Sequence, residues 1–186
     1  MIKLLLLCGP SGAGKTYIEN CLVQESPIGN YTFKKLEQVT TRERGDDKDP
    51  YIFLSVEAYK EMEKNLVAKT VITTTDGRTN FYGTIPDFID NNDIIHTVVV
   101  NRKGIDDIKR YAEEHKELNI KIVTFMITST NPVGRVNRDK EFIKEELKSL
   151  EGCWDMVFTN IPEQDFYINT DDIYEALKIT GMIEEV

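Results

Sequence analysis

Apolar residues fall along this chain in two rhythms. Short unbroken runs bounded by turn residues, at 2–7, 97–100, 120–127 and 156–158, predict strands buried on both faces. Between them, 15–24, 105–115, 140–150 and 171–179 carry the spacing of amphipathic helices. Strands alternating with helices predict βαβ units around a mostly parallel sheet, the α/β class. One stretch breaks the rhythm. From about residue 32 to 92 the strands are shorter and alternate with polar residues, at 33–40, 51–53, 68–74 and 80–83, with a helix over 56–65. Such strands predict a small mixed or antiparallel lobe inserted into a core formed by about 1–31 and 93–186. The segment TNPVGRVNRDKEF is rich in turn formers and arginine, and predicts a short flap near 132–142. The whole fits a single domain of 186 residues.

The first turn after the first strand carries the chemistry. Gly9-Pro10-Ser11-Gly12-Ala13-Gly14-Lys15-Thr16 satisfies G-x-x-x-x-G-K-[ST], with a strand before it and a helix after it. Gly12 and Gly14 permit backbone angles that turn successive N–H groups inward, forming a nest for an anion. The helix start adds its positive dipole end at the same point. Lys15 brings a compact charge to β and γ oxygens, and the Thr16 hydroxyl can ligate magnesium. These residues predict binding of a nucleoside triphosphate with Mg2+. They do not choose between a hydrolase, a motor and a kinase.

Charge and cysteine content narrow the remainder. A formal charge of -9 and a pI near 4.8 argue against a nucleic acid polymer as partner. Three scattered cysteines, Cys8, Cys21 and Cys153, form no CxxC pair, which fits a reducing cytoplasm. His96 and His115 are too isolated for a metal cluster. The apolar run at 2–7 is too short for a membrane span. Monomer and homodimer are equally open.

A second cluster follows the loop by about 26 residues. Arg42 and Arg44 lie two apart, so in a strand both guanidinium forks face one side and can close on one phosphate. Tyr51 and Tyr82 can each donate a phenolic O–H to such a phosphate. With these residues in view, the chain resembles the guanylate kinases. GPSGAGKT is similar to their phosphate loop, including its Pro-Ser. TTRERGDDKDPYIFLSVEAYKEM resembles their T-T-R-x-x-R-x-G-E…Y-x-F stretch, NFYGT their Y-Y-G-[ST], and DMVFTN their D-x-V-x-x-N. The resemblance runs in order over nearly the whole chain.

It implies a P-loop core, an acceptor lobe and an arginine-bearing lid, and transfer of the ATP γ-phosphoryl group to a nucleoside monophosphate. By that resemblance Arg42, Arg44, Tyr51, Tyr82 and Thr84 belong to the acceptor's site, Arg135 and Arg138 close over the moving phosphoryl group, and Asn160 lies near the ATP base. GMP or dGMP is the default acceptor. The departures fall where the family reads that base. Counting back from Tyr82 puts Thr73 at the family's glutamate, and the resemblance puts Gln38 at its serine and Asn101 at its aspartate; Asp76 is the nearest carboxylate. Glu146 stands where the family has an arginine on the helix after the lid. Neutral base-reading positions leave two alternatives: a kinase for another or modified monophosphate, and a catalytically weak module that binds a protein partner.

Overall fold

The computed structural model describes residues 1–43, 51–74, 77–129, 140–160 and 170–184. Its first strand, β1 (Ile2–Cys8), is buried along its whole length. Successive side chains leave a strand on opposite faces. Leu5 and Leu7 therefore join one apolar cluster, and Leu4, Leu6 and Cys8 another. In the completed sheet, β1 pairs in parallel with β7 (Ile94–Val99) on one side and β8 (Ile120–Ser129) on the other. β2 (Thr32–Lys35) extends the sheet beyond β7, and β9 (Met156–Asn160) extends it beyond β8. All five strands run parallel.

Helices cover both faces, as a parallel sheet demands. On one side α1 (Lys15–Gln24) and α5 (Thr170–Ile179) bury Ile18, Leu22, Ile173 and Leu177 against Leu5, Leu7 and Phe125. On the other, α3 (Arg102–Glu114) buries Ile105 and Ile108 against Leu4, Leu6 and Val98. Each such side chain contributes about 1.5–3 kcal/mol when fully buried. β1 is the centre of this three-layer core, with α1 leaving it on one face and α3 leaving β7 on the other. Ligands of such sheets bind beyond the carboxyl ends of the strands at that divergence.

A second sheet stands beside the first. Its order is β4 (Tyr51–Phe53), β3 (Gln38–Thr40), β6 (Thr79–Thr84), β5 (Val67–Thr73). The β3/β4 pair is parallel and the others antiparallel, so the lobe is mixed. α2 (Val56–Met62) starts where the Ser55 hydroxyl accepts from Ala58 N at 3.1 Å, and a single 3-10 turn, Glu63–Asn65, follows it. Val39, Tyr59 and Leu66 form the lobe's own small core.

Two expectations shift. The single strand over 33–40 is two strands in different sheets. Leu36 N donates to Thr97 O at 2.9 Å, the last link to the core, and Ile85 N donates to Glu37 O at 2.9 Å, the first link to the lobe. β2 thus belongs to the core, and the strands of the lobe begin at Gln38. β7 also starts at Ile94, ahead of the expected 97, because its polar residues are buried. His96 Nε2 accepts from Ile89 N at 2.9 Å inside the fold. Of the expected flap at 132–142, residues 132–139 lie outside the described residues; α4 (Lys140–Ser149) begins within it. Among the described residues no helix is long and apolar enough to cross a membrane.

Candidate active site

The loop between β1 and α1 takes the shape its glycines allow. Gly9 sits at φ +141 with the Ile127 carbonyl of β8 so close that a Cβ would lie 2.0 Å from that oxygen. Gly14, at φ +93, is the N-cap of α1, and no side chain caps that helix. A helix start of this kind, with a glycine at its cap, suits an anion. The other capped helices differ: Ser55 caps α2 and Asn101 caps α3. Lys15 curls over the loop and donates to Gly9 O and Pro10 O, each at 2.9 Å. Thr16, the second residue of α1, is exposed beside it.

An anion of the protein's own already touches this loop. Glu146, on α4, accepts from Ser11 N at 3.2 Å through Oε2. The thiol just ahead of the loop is inert by contrast, since burial pushes Cys8 up to about 12.

Gly9, Ser11, Lys15 and Glu146 line a cleft of about 300 Å³. The lobe and the end of β7 form the remainder. Arg42 lies two residues beyond β3, where Arg42 N donates to the Thr40 hydroxyl at 3.0 Å. Its side chain reaches the cleft beside Tyr51 and Tyr82. Those two rings meet edge to face, 5.6 Å apart at 76°. Sheet register explains the grouping, because Tyr51 pairs with Gln38 on β3 and Tyr82 pairs with Thr40.

Gln38 also lines the cleft. Its Nε2 donates to Val99 O at 3.2 Å and to Thr84 Oγ1 at 3.3 Å, which fixes the amide with its nitrogen inward and leaves Oε1 as acceptor. Thr84 is fully buried and supports Gln38 without facing the cleft. Asn101 is held the other way round. Its Oδ1 caps α3 by accepting from Gly104 N at 2.9 Å and also accepts from the Thr70 hydroxyl at 3.4 Å, leaving the amide N–H groups as donors.

Thr73 is not brought to this group. The cleft is lined from β5 by Ala68, Thr70 and Ile72, so parity sends Thr73 to the opposite face, where its hydroxyl meets that of Thr79 at 3.3 Å. Thr70 and Ile72 are the residues that counting back from Tyr82 missed. The alternation of β5 was the signal, once Thr70 is seen to pair with Tyr82. Asn160 ends β9 opposite Ser129. Arg44, Asp76, Arg135 and Arg138 lie outside the described residues. Among the described residues no group of three His, Cys, Asp or Glu could hold a metal.

Comparison with known proteins bears on the family and the fold. A family model, Guanylate kinase, matches residues 1–185. A guanylate kinase of Mesomycoplasma hyopneumoniae is 30% identical over 133 residues, covering 68% of this chain but 64% of that relative. The chain thus spans just under two thirds of that relative's length. A guanylate kinase of Mycoplasma mobile is 28% identical over 165 residues, covering 80% of this chain and 77% of the relative. The crystal structure of guanylate kinase from Anaplasma phagocytophilum shares the fold, with a TM-score of 0.54 and 19% identity over 98% of this chain and 86% of that one.

Proposed function

Because this chain belongs to the guanylate kinase family, we propose that it transfers the γ-phosphoryl group of ATP to a nucleoside monophosphate, GMP or dGMP by default. One observation carries the reading: the phosphate loop and the Arg42–Tyr51–Tyr82 group line the same cleft. A donor phosphate at the loop and an acceptor phosphate at the arginine then face each other across it. Transfer needs positioning and charge more than covalent help from the protein. Lys15 leaves the Gly9 and Pro10 carbonyls and takes the β and γ oxygens. Arg42, with Arg44 as its companion, holds the acceptor, and Arg135 and Arg138 close over the moving group.

The donor set for a metal is thin, yet it suits one ion. Thr16 offers a single hydroxyl, so a magnesium ion would be held by it together with water and the nucleotide's own phosphates. Bound there, it would neutralise charge on the β and γ phosphates. The free thiols of Cys8, Cys21 and Cys153 suit the cytoplasm, where we place this reaction.

Guanine presents N–H donors and an O6 acceptor along one edge. The acceptor left on Gln38 and the donors left on Asn101 complement that edge without a carboxylate. They complement less strongly than an ionised group, by about 1–3 kcal/mol. That neutrality favours a second reading, in which the acceptor carries another or a modified base. A protein-binding module is the weaker alternative, because such a module has no need of an intact phosphate loop.

Arg42→Ala is expected to raise the acceptor's KM about ten- to a hundredfold while leaving the KM for ATP within twofold or so. Steady-state kinetics with each substrate varied in turn gives both numbers. Equal shifts would remove Arg42 from the acceptor's site.

Glu146→Gln is expected to tighten ATP binding about three- to tenfold, since a neutral amide competes less well than a carboxylate for the Ser11 N–H and no longer repels the phosphates. Calorimetric titration with ATP in the absence of acceptor checks this. Unchanged or weaker binding would mean that the carboxylate does not obstruct the loop.

A further inference from the structure

A second cavity borders the lobe, apart from the cleft just described. It has a volume of about 530 Å³ and lies between α3 on one side and the Glu63–Asn65 turn with the start of β5 on the other. It shares no lining residue with the phosphate cleft. We propose that it is a second ligand site, for a small molecule that joins a planar ring to phosphate, as a mononucleotide does.

Charge is the first argument. Lys64, Lys69 and Arg110 converge on this cavity in a chain of net charge -9. Arg110 is partnered by Asp107, whose other oxygen accepts from Lys69 N at 3.1 Å, so the buried carboxylate is already neutralised. No ion pair among the described residues takes up Lys64 or Lys69. Two cations on the same wall of a concave surface attract an anion that either alone would bind weakly.

The second argument is shape. The Tyr111 ring lies on the His115 ring, with centroids 4.3 Å apart at 38°, and the pair forms one wall. Leu66 and Val67 supply an apolar floor. An aromatic wall beside placed charges suits a small polar molecule, and the volume lies within the range of small-molecule pockets. Glu114, at the rim, offers an acceptor to ring N–H or sugar O–H groups.

The site also has a route to the other cleft. Val67 and Lys69 face this cavity, while Ala68 and Thr70, between and beside them on β5, face the acceptor end of the other. The strand is irregular there, with Ala68 at φ +53 and a shift of register between Val67 and Thr70. A ligand that pulls on Lys69 shifts Thr70 and, through its hydroxyl, the Asn101 side chain.

The site itself does not depend on the kinase reading, and ADP serves as probe for both. Equilibrium dialysis with labelled ADP, carried to millimolar concentration, is expected to find about two ADP per chain in the wild type. Lys64→Glu/Lys69→Glu is expected to keep about one, and Lys15→Ala to keep about one, the other. If the charge reversal fails to fold, Lys64→Ala/Lys69→Ala is used, with an expected loss of about tenfold or more in the affinity of the weaker ADP. A single ADP in the wild type, or two that survive both lysine variants, would overturn the second site. Binding that Lys15→Ala leaves untouched would instead count against the phosphate loop, so the two failures are separable.

Discussion

Lys15→Ala is expected to lower the rate of phosphoryl transfer by about a thousandfold or more, equivalent to roughly 4 kcal/mol of transition-state stabilisation. Charge spreads over the oxygens of the moving group, and Lys15 is the cation held over the loop that cradles them. Stability should change little, because the ammonium group's bonds to the Gly9 and Pro10 carbonyls lie in the loop and outside the buried core. ADP release in a coupled assay, with thermal unfolding as the control, reads both quantities. Retention of a tenth or more of the wild-type rate would refute the role given to this lysine.

Gly9→Ala should act on the fold itself. Its φ of +141 lies where side-chain-bearing residues are strained, and the new methyl would meet the Ile127 carbonyl at 2.0 Å. That carbonyl belongs to β8, which pairs with β1 along seven residue pairs. The strands can part only by giving up buried contacts at Leu7, Phe125 and Ile127. A loss of about 3 kcal/mol or more is expected in denaturant unfolding. Gly77→Ala is the control, because it shares a positive φ of +83 but meets nothing within 4 Å. Its cost should be about 1–2 kcal/mol, from backbone strain alone. Equal losses in the two variants would show that strain, not the close approach of β8, decides the matter.

The parts of the fold that were legible in the sequence are those fixed by local chemistry. The loop, the helix over Lys15–Gln24 and the apolar strand β1 depend on neighbours in the chain, and each stands where its pattern put it. What depended on distant pairing was harder. Nothing within 33–40 signals that Leu36 bonds to Thr97 while Glu37 bonds to Ile85, so one apparent strand serves two sheets. Thr73 failed to reach the cleft through strand parity: an odd step along β5 turns a side chain to the other face, and the pairing of Thr70 with Tyr82 was invisible without the hairpin. Glu146 could be noted as a departure, but its bond to Ser11 joins residues 135 apart in the chain. Gln38 and Asn101 were legible as positions. Which half of each amide remains for a ligand was decided by Val99 and Gly104, and only the fold supplies those.

The central claim is that one cleft holds a phosphate donor at the loop and a nucleoside monophosphate at Arg42. Its most direct test is ADP release from magnesium and ATP, measured against a panel of ribo- and deoxyribonucleoside monophosphates. The account predicts turnover that requires an acceptor, is strongest with GMP or dGMP, and is lost in Lys15→Ala. A preference for another base would keep the kinase and reassign Gln38, Thr70 and Asn101 to a different ring. ADP release that no monophosphate stimulates would contradict the account.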